Sequence, residues 1–126
     1  MLKMVYAWRD HPDLSPEECE QHYRTVHMEL AREAFTGIDG FHALVYNRVR
    51  RHAVNDHNEP EALDRPTDMD AFLELYVRDR SVLEQAFARP QMRRLFEDHA
   101  NFMAVNIPAN VRIYEVEEEV YFGERP

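Results

Sequence analysis

One histidine, His27, lies among apolar residues at a spacing typical of a helix. Tyr23 comes four residues before it and Leu30 three residues after it, so the three side chains share one face of an amphipathic helix. An imidazole with a pKa of about 6.5 accepts or releases a proton near neutral pH. We therefore predict that His27 is a general base. The alternative is a core histidine that donates to a backbone carbonyl and only fixes the helix.

Two tyrosines and a glutamate occur in segments that alternate like β-strands. The phenols of Tyr46 and Tyr76 are suited to hold or polarise a substrate carbonyl or hydroxyl, and the alternative for each ring is a place in a hydrophobic wall. Glu74 comes two residues before Tyr76, where a covered carboxylate needs a partner or a proton. We predict that Glu74 orients a base or is one; the alternative is an ion pair with Arg48 or Arg112.

Hydrophobic periodicity predicts an α+β domain with the element order βαββαβ. The predicted strands are Leu2–Arg9, Phe41–His52, Met69–Val77 and Val111–Tyr121. The first predicted helix spans Pro16 to Phe35, with Ser15 as its N-cap and Gly37 as its left-handed C-terminal residue. The second has a capping box at Ser81 and restarts at Pro90.

In this order both helices cover the same face of the sheet, because crossover connections are right-handed. The aliphatic side of the third strand is expected to meet the helices. The uncovered face then carries Phe72, Glu74, Tyr76, Tyr46 and Tyr114, with Tyr6 or Trp8. Such a face favours a homodimer whose sheets pack about 10 Å apart around an aromatic pocket. The alternative is a monomeric open sheet whose tyrosines cover one another.

Composition limits the classes of function. The 126 residues form a single predicted domain, 1–126, and 44% of them are hydrophobic. A net charge of −9 argues against nucleic-acid and membrane partners. The lone Cys19 and the lack of a signal-peptide stretch favour the cytoplasm.

No cofactor or metal site is expected from the motifs. The chain has no phosphate-binding glycine loop and no GxSxG motif. His52, Asp56, His57 and Glu59 lack metal-ligand spacing, so we predict no metal site. They belong to a polar stretch that includes Ala53–Asp68, which is either a flap over the site or disordered.

Several motifs resemble those of the EthD-type dimeric α/β-barrel proteins. They are Leu14-Ser15-Pro16-Glu17-Glu18, Tyr23, Thr25-Val26-His27, and the stretch from Ala88-Arg89-Pro90-Gln91-Met92 through Asp98 to Phe102. The resemblance implies a ferredoxin-like fold with a four-stranded antiparallel sheet, homodimers joined through the sheet faces, no organic cofactor and a hydrophobic pocket in each subunit. His27 is the position that carries over. Met28-Glu29-Leu30 departs from the small residue and proline that many members have before the leucine.

Together with these residues, the resemblance implies a cofactor-independent enzyme that moves protons on a small oxygenated hydrophobe, as in lactone isomerisation or in polyketide cyclisation or dehydration. His27 takes the proton, Tyr46 or Tyr76 stabilises the oxyanion and Glu74 tunes a neighbour. The substrate is expected to contact Tyr6, Trp8, Tyr23, Phe72 and Tyr114. The alternatives are a non-catalytic dimer that binds such a molecule and a cofactor-free oxygenase of phenols or quinols.

Overall fold

Four antiparallel strands form the sheet in the computed structural model, which describes residues 1–50, 69–105 and 110–125. The strands are β1 (Leu2–Trp8), β2 (Phe41–Arg48), β3 (Ala71–Val77) and β4 (Val111–Val116), in the order β2-β3-β1-β4. The predicted βαββαβ order is confirmed. β2 and β4 end earlier than predicted, at Arg48 and Val116. The predicted flap, Ala53–Asp68, lies outside the described residues.

The first helix is continuous but contains a wider turn. It consists of α1 (Pro16–His22), a π-helical turn (Tyr23–His27) and α2 (Met28–Phe35). Ser15 and Glu18 form the predicted capping box, with a backbone-to-side-chain hydrogen bond in each direction. The π-helical turn is marked by the Met28 N–H, which donates to the carbonyl of Tyr23, five residues back.

The second helix is split at Pro90, as predicted. Its pieces are α3 (Arg80–Phe87) and α4 (Pro90–Asp98), followed by a 3₁₀ turn, His99–Asn101. The predicted cap at Ser81 is wrong, because the Asp79 carboxylate accepts from the Ser81 N–H at 2.9 Å and the helix already begins at Arg80. None of the helices in the described part of the chain is long and apolar enough to cross a membrane.

The helices pack on the aliphatic side of β3, where Leu75 and Val77 are buried against Ala34, Val82 and Ala86. Residues directly opposite each other on neighbouring strands point to the same face. The pairs on this side of β3 include Tyr6 and Tyr46 opposite Leu73, Met4 and Leu44 opposite Leu75, Phe41 opposite Val77, and Trp8 opposite Ala71.

Tyr6, Trp8 and Tyr46 therefore lie under the helices, and the prediction that they belong to the uncovered face is wrong. For Tyr46 the reason is a β-bulge between Phe41 and Ala43, which shifts the strand's alternation by one residue. Both Phe41 and Tyr46 consequently face the helices, although a regular strand would place them on opposite sides.

Candidate active site

A buried hydrogen bond joins His27 of the π-helical turn to Asp98 at the end of α4. The Nδ1 atom of His27 lies 2.8 Å from Oδ2 of Asp98, and the two residues are only 3% and 5% exposed. The pair connects the first helix to α4. A carboxylate that holds one ring nitrogen fixes the orientation of the imidazole and leaves Nε2 as the nitrogen able to act on another molecule.

Two further side chains occupy the other oxygen of Asp98. The Nε2 atom of His22 lies 2.8 Å from Oδ1, and the Asn101 amide donates to the same atom at 3.0 Å. His22 and His27 are five residues apart, a separation that places side chains about 140° apart on a regular α-helix. The π-helical turn brings both histidines to the same side, so one carboxylate can bind both.

The surroundings of the pair set its protonation. Burial lowers the pKa of His27, and this effect outweighs the opposing hydrogen bond and charge of Asp98. Burial by itself would raise the pKa of Asp98, but hydrogen bonds from Asn101, His22 and His27 together hold that pKa below its usual range. At neutral pH the pair is therefore an ionised Asp98 that accepts from a neutral His27, whose proton is on Nδ1.

The Tyr23 hydroxyl is buried without a hydrogen-bond partner among the described residues. Tyr23 is 1% exposed, and its ring lies 5.2 Å from that of His27, 4.2 Å from that of Tyr46 and 5.3 Å from that of Trp8. Burial raises the pKa of Tyr23 well above its usual value, with a smaller contribution from Tyr46. The phenol therefore keeps its proton and is available as a hydrogen-bond donor to a bound molecule.

Two adjoining cavities lie between the sheet and the helices. Their volumes are about 60 and about 250 Å³. Both are lined by Tyr6, Tyr23, His27, Leu73, Phe96 and His99. The remaining lining is mostly aliphatic or aromatic, and Trp8 contributes to the larger cavity. An apolar space with a few convergent polar groups is typical of a small-molecule site.

Sequence reasoning missed Asp98 and His99 as members of this site. The His99 ring lies 5.2 Å from the His27 ring, and burial, with a smaller effect of His27, lowers the pKa of His99 to about 4. His99 is therefore neutral at physiological pH. Asp98 follows Met92 and Leu95 at intervals of three and so lies on the buried face of α4. A carboxylate on an otherwise apolar helix face could have identified it as a candidate site residue.

The other predicted site residues lie on the opposite face of the sheet from His27. Glu74, Tyr76, Phe72 and Tyr114 are there, as predicted. Glu74 and Tyr76 belong to a polar network in which Glu74 lies 2.7 Å from the Lys3 ammonium, accepts from Asn47 at 2.9 Å and accepts from the Tyr76 hydroxyl at 3.0 Å. The structure therefore does not bring Glu74 or Tyr76 to His27.

Glu74 is an ionised carboxylate paired with Lys3, so it carries no proton that it could donate. The hydrogen bond from Lys3 is the main cause that lowers the pKa of Glu74, and burial only partly opposes it. The sequence suggested Arg48 or Arg112 as the partner of Glu74, and not Lys3. In the structure Arg48 binds Asp10 through both of its terminal nitrogens. Tyr46 packs behind Tyr23, and within the described residues it lines neither cavity.

The described residues 1–50, 69–105 and 110–125 contain no group of three or more His, Cys, Asp or Glu side chains that could hold a metal ion. The candidates His52, Asp56, His57 and Glu59 lie outside them. What the described residues bring together is a carboxylate-oriented imidazole, a neutral phenol and an apolar cavity. This arrangement can bind a small molecule, take a proton from it and donate a hydrogen bond to one of its oxygens.

Comparison with known proteins gives a family and a fold. The sequence matches the model of the EthD domain over residues 11–106, and no curated protein matches it significantly. An ethyl tert-butyl ether D (EthD) family protein of Bacillus halodurans is 18% identical, with a TM-score of 0.61 over 94% of this chain and 100% of that chain.

Two other solved structures have the same fold at lower identity. The Arabidopsis thaliana protein At3g17210 is 11% identical, with a TM-score of 0.63 over 97% of this chain and 99% of its own. A dimeric ferredoxin-like protein of unknown function from Thermobifida fusca is 9% identical, with a TM-score of 0.56 over 91% of this chain and 88% of its own. Because the EthD model spans most of the chain, from residue 11 to residue 106, this protein belongs to the EthD family.

Proposed function

We propose that this protein is a cofactor-independent enzyme that moves a proton on a small, largely apolar molecule with a carbonyl or hydroxyl oxygen. Lactone isomerisation and polyketide cyclisation or dehydration are reactions of this kind. The observation that carries the proposal is the placement of His27, whose Nδ1 lies 2.8 Å from Asp98 and which lines an apolar cavity. Tyr23 lines the same cavity, and its buried hydroxyl has no hydrogen-bond partner among the described residues.

The proposed reaction begins with removal of a proton from a carbon next to a carbonyl. Nε2 of His27 takes that proton, and the electron pair of the broken C–H bond moves onto the carbonyl oxygen. Tyr23 donates a hydrogen bond to the enolate oxygen, while Asp98 stabilises the imidazolium. The imidazolium then returns the proton, either to another carbon in an isomerisation or to a departing hydroxyl in a dehydration.

The apolar cavity supports this chemistry in two ways. Its apolar lining lowers the effective dielectric, so hydrogen bonds and charges in it are stronger than in water. It also keeps His27 and His99 neutral at physiological pH, because burial lowers the pKa of each. A base must be unprotonated before it reacts, and His27 meets this requirement.

We also propose that two copies associate through their uncovered sheet faces. This face carries a polar network at its centre and partly exposed apolar residues around it, including Val45 at 41% and Tyr114 at 52% exposure. The Thermobifida fusca structure is described as a dimer. Burial of apolar surface is the expected driving force for such a contact.

A non-catalytic binding protein is the second candidate. The predominantly apolar lining of the two cavities favours it, because binding alone needs no titrating group. The two candidates differ in what the loss of His27 does. In a binding protein the loss leaves affinity nearly unchanged, and there is no turnover to lose.

Solvent-exchange NMR tests the proposal with small probes. Aryl ketones and β,γ-unsaturated γ-lactones are incubated with the protein in D₂O at neutral pH, and deuterium uptake and double-bond migration are followed. We expect the H27Q variant to lose about 10²- to 10⁴-fold in rate, and Y23F to lose about 10²-fold.

The matched control is Y76F, which removes a tyrosine hydroxyl from the opposite face of the sheet. It should leave the rate within about twofold of that of the parent protein, since Tyr76 is on the face that His27 does not share. A folded H27Q variant with full activity would overturn the proposal. Tight probe binding without exchange in the parent protein would favour the binding protein instead.

A further inference from the structure

Two exposed phenylalanines mark one side of the cavity that contains His27. Phe87 at the end of α3 and Phe96 of α4 are 49% and 44% exposed, and their rings stack with centroids 5.6 Å apart at an interplanar angle of 13°. Both also line the smaller cavity, together with His27. The two residues therefore line the cavity and are also partly exposed to solvent.

A groove of about 650 Å³ begins on the outer side of this pair. It shares Phe87, Met92 and Phe96 with the inner cavity, so the two spaces adjoin at the two rings. The polar side chains along the groove are Arg89, Arg93 and Glu97. The groove thus adds charged groups to a site whose interior is apolar.

The three neighbouring arginines of this region have different roles. Arg89 donates to the carbonyl of Thr36 at 2.6 Å and so binds the C-terminal end of α2. Arg94 forms an ion pair with Glu33 at 3.4 Å. For Arg93, the described part of the chain offers no hydrogen bond or ion pair. Its guanidinium is therefore available to a ligand in the groove.

We propose that the ligand is an amphiphile with a carboxylate: the apolar part passes Phe87 and Phe96 into the cavity, and the carboxylate binds Arg93. The planar guanidinium matches a carboxylate with two parallel hydrogen bonds. One arginine beside the carboxylate of Glu97 suits a single negative charge better than the double charge of a phosphate monoester. The proposal names the substrate class of the proposed enzyme and rests on that function only for the chemistry.

Calorimetric binding of two matched probes tests this assignment. The probes are 4-phenylbutanoate and 4-phenylbutan-1-ol, which share their apolar part and differ in charge. We expect the R93M variant to weaken binding of the carboxylate about fivefold and to leave binding of the alcohol unchanged. R94M is the matched control, since it removes an adjacent arginine that already has a partner, and it should change neither affinity.

A third variant tests the sign of the electrostatic effect. E97Q removes the negative charge from the groove, so it should strengthen carboxylate binding about twofold and leave alcohol binding unchanged. Equal losses in R93M and R94M would overturn the assignment. So would an alcohol that binds as tightly as the carboxylate, or the failure of both probes to bind at millimolar concentration.

The result is independent of whether the protein is an enzyme. The selective loss of carboxylate binding in R93M is measured without turnover, because Arg93 lines the outer groove and not the cavity lined by His27. Loss of turnover in H27Q with no selective loss of carboxylate binding in R93M would refute the amphiphile and retain the proposed reaction. The reverse pattern would retain the amphiphile and refute the reaction.

Discussion

At the scale of single residues, the site depends on a balance between burial and hydrogen bonding around one carboxylate. His27 and Tyr23 could be predicted because both fall on the apolar stripe of the first helix. Asp98 could not, because its contact with His27 joins residues 71 positions apart and only the folded chain brings them together. Glu74 was predicted from its sequence context to orient a base or to be one, but in the structure it forms an ion pair with Lys3 on the neighbouring strand.

The buried histidines predict a dependence of stability on pH. Burial lowers the pKa of His99 from 6.5 to about 4 and also lowers that of His27, so in this range the unfolded chain binds protons that the folded chain does not. The free energy of unfolding should therefore fall as the pH decreases through 6.5 and towards 4. His99 accounts for at most about 3 kcal/mol of this fall.

Urea denaturation at several pH values measures the effect. The H99F variant should lose the part of the pH dependence that His99 contributes, while H42F, at an exposed position of β2, should retain it. An identical pH dependence in the parent protein and in H99F would contradict this interpretation of the site.

At the scale of elements, local irregularities decide which side chains meet. The boundaries of the first helix and the break at Pro90 were predictable, because capping residues and proline act locally. The π-helical turn and the bulge in β2 were not, since each is one residue accommodated by tertiary packing. The bulge alone moved Tyr46 from the uncovered face to the covered one.

Two glycines that follow α2 give a matched test of local packing. Gly37 and Gly40 both have positive φ, at +79° and +89°, where a side chain is strained by about 1–2 kcal/mol. A Cβ at Gly40 would lie 2.8 Å from Cγ2 of Val82 on α3, whereas the nearest atom to a Cβ at Gly37 is 4.0 Å away. We therefore expect G40A to destabilise the protein by about 1–3 kcal/mol more than G37A.

Thermal or chemical denaturation of the two variants gives this difference directly. Equal destabilisation would mean that α3 moves aside at no cost, in contradiction to close packing between α3 and the turn before β2.

At the scale of the whole molecule, the two faces of the sheet differ chemically: one packs against the helices and the other carries the polar network of Glu74. The sequence was sufficient to predict one face covered by helices and another available to a second copy. It placed the pocket on the uncovered face, whereas the structure places His27, Tyr23, Tyr6 and Trp8 on the covered one. The uncovered face is left with a polar network and an apolar rim, which suit an interface better than a site for catalysis.

The proposed dimer can be tested with two valines of similar exposure. Val45 on the uncovered face of β2 is 41% exposed, and Val26 on the first helix is 45% exposed. V45D should weaken the dimer at least about tenfold, because a twofold contact buries the new charge twice. V26D should leave the association unchanged. Sedimentation equilibrium separates these results, and a monomeric parent protein or equal effects of the two changes would contradict the proposed interface.

The pH dependence of solvent exchange into a ketone or lactone probe is the most direct test of His27 as the base of this site. Because burial lowers the pKa of His27, the rate should rise with pH and level off with a midpoint below 6.5. The H27Q variant should show no such rise. A rate independent of pH in the parent protein, or the same profile in H27Q, would contradict this role of His27.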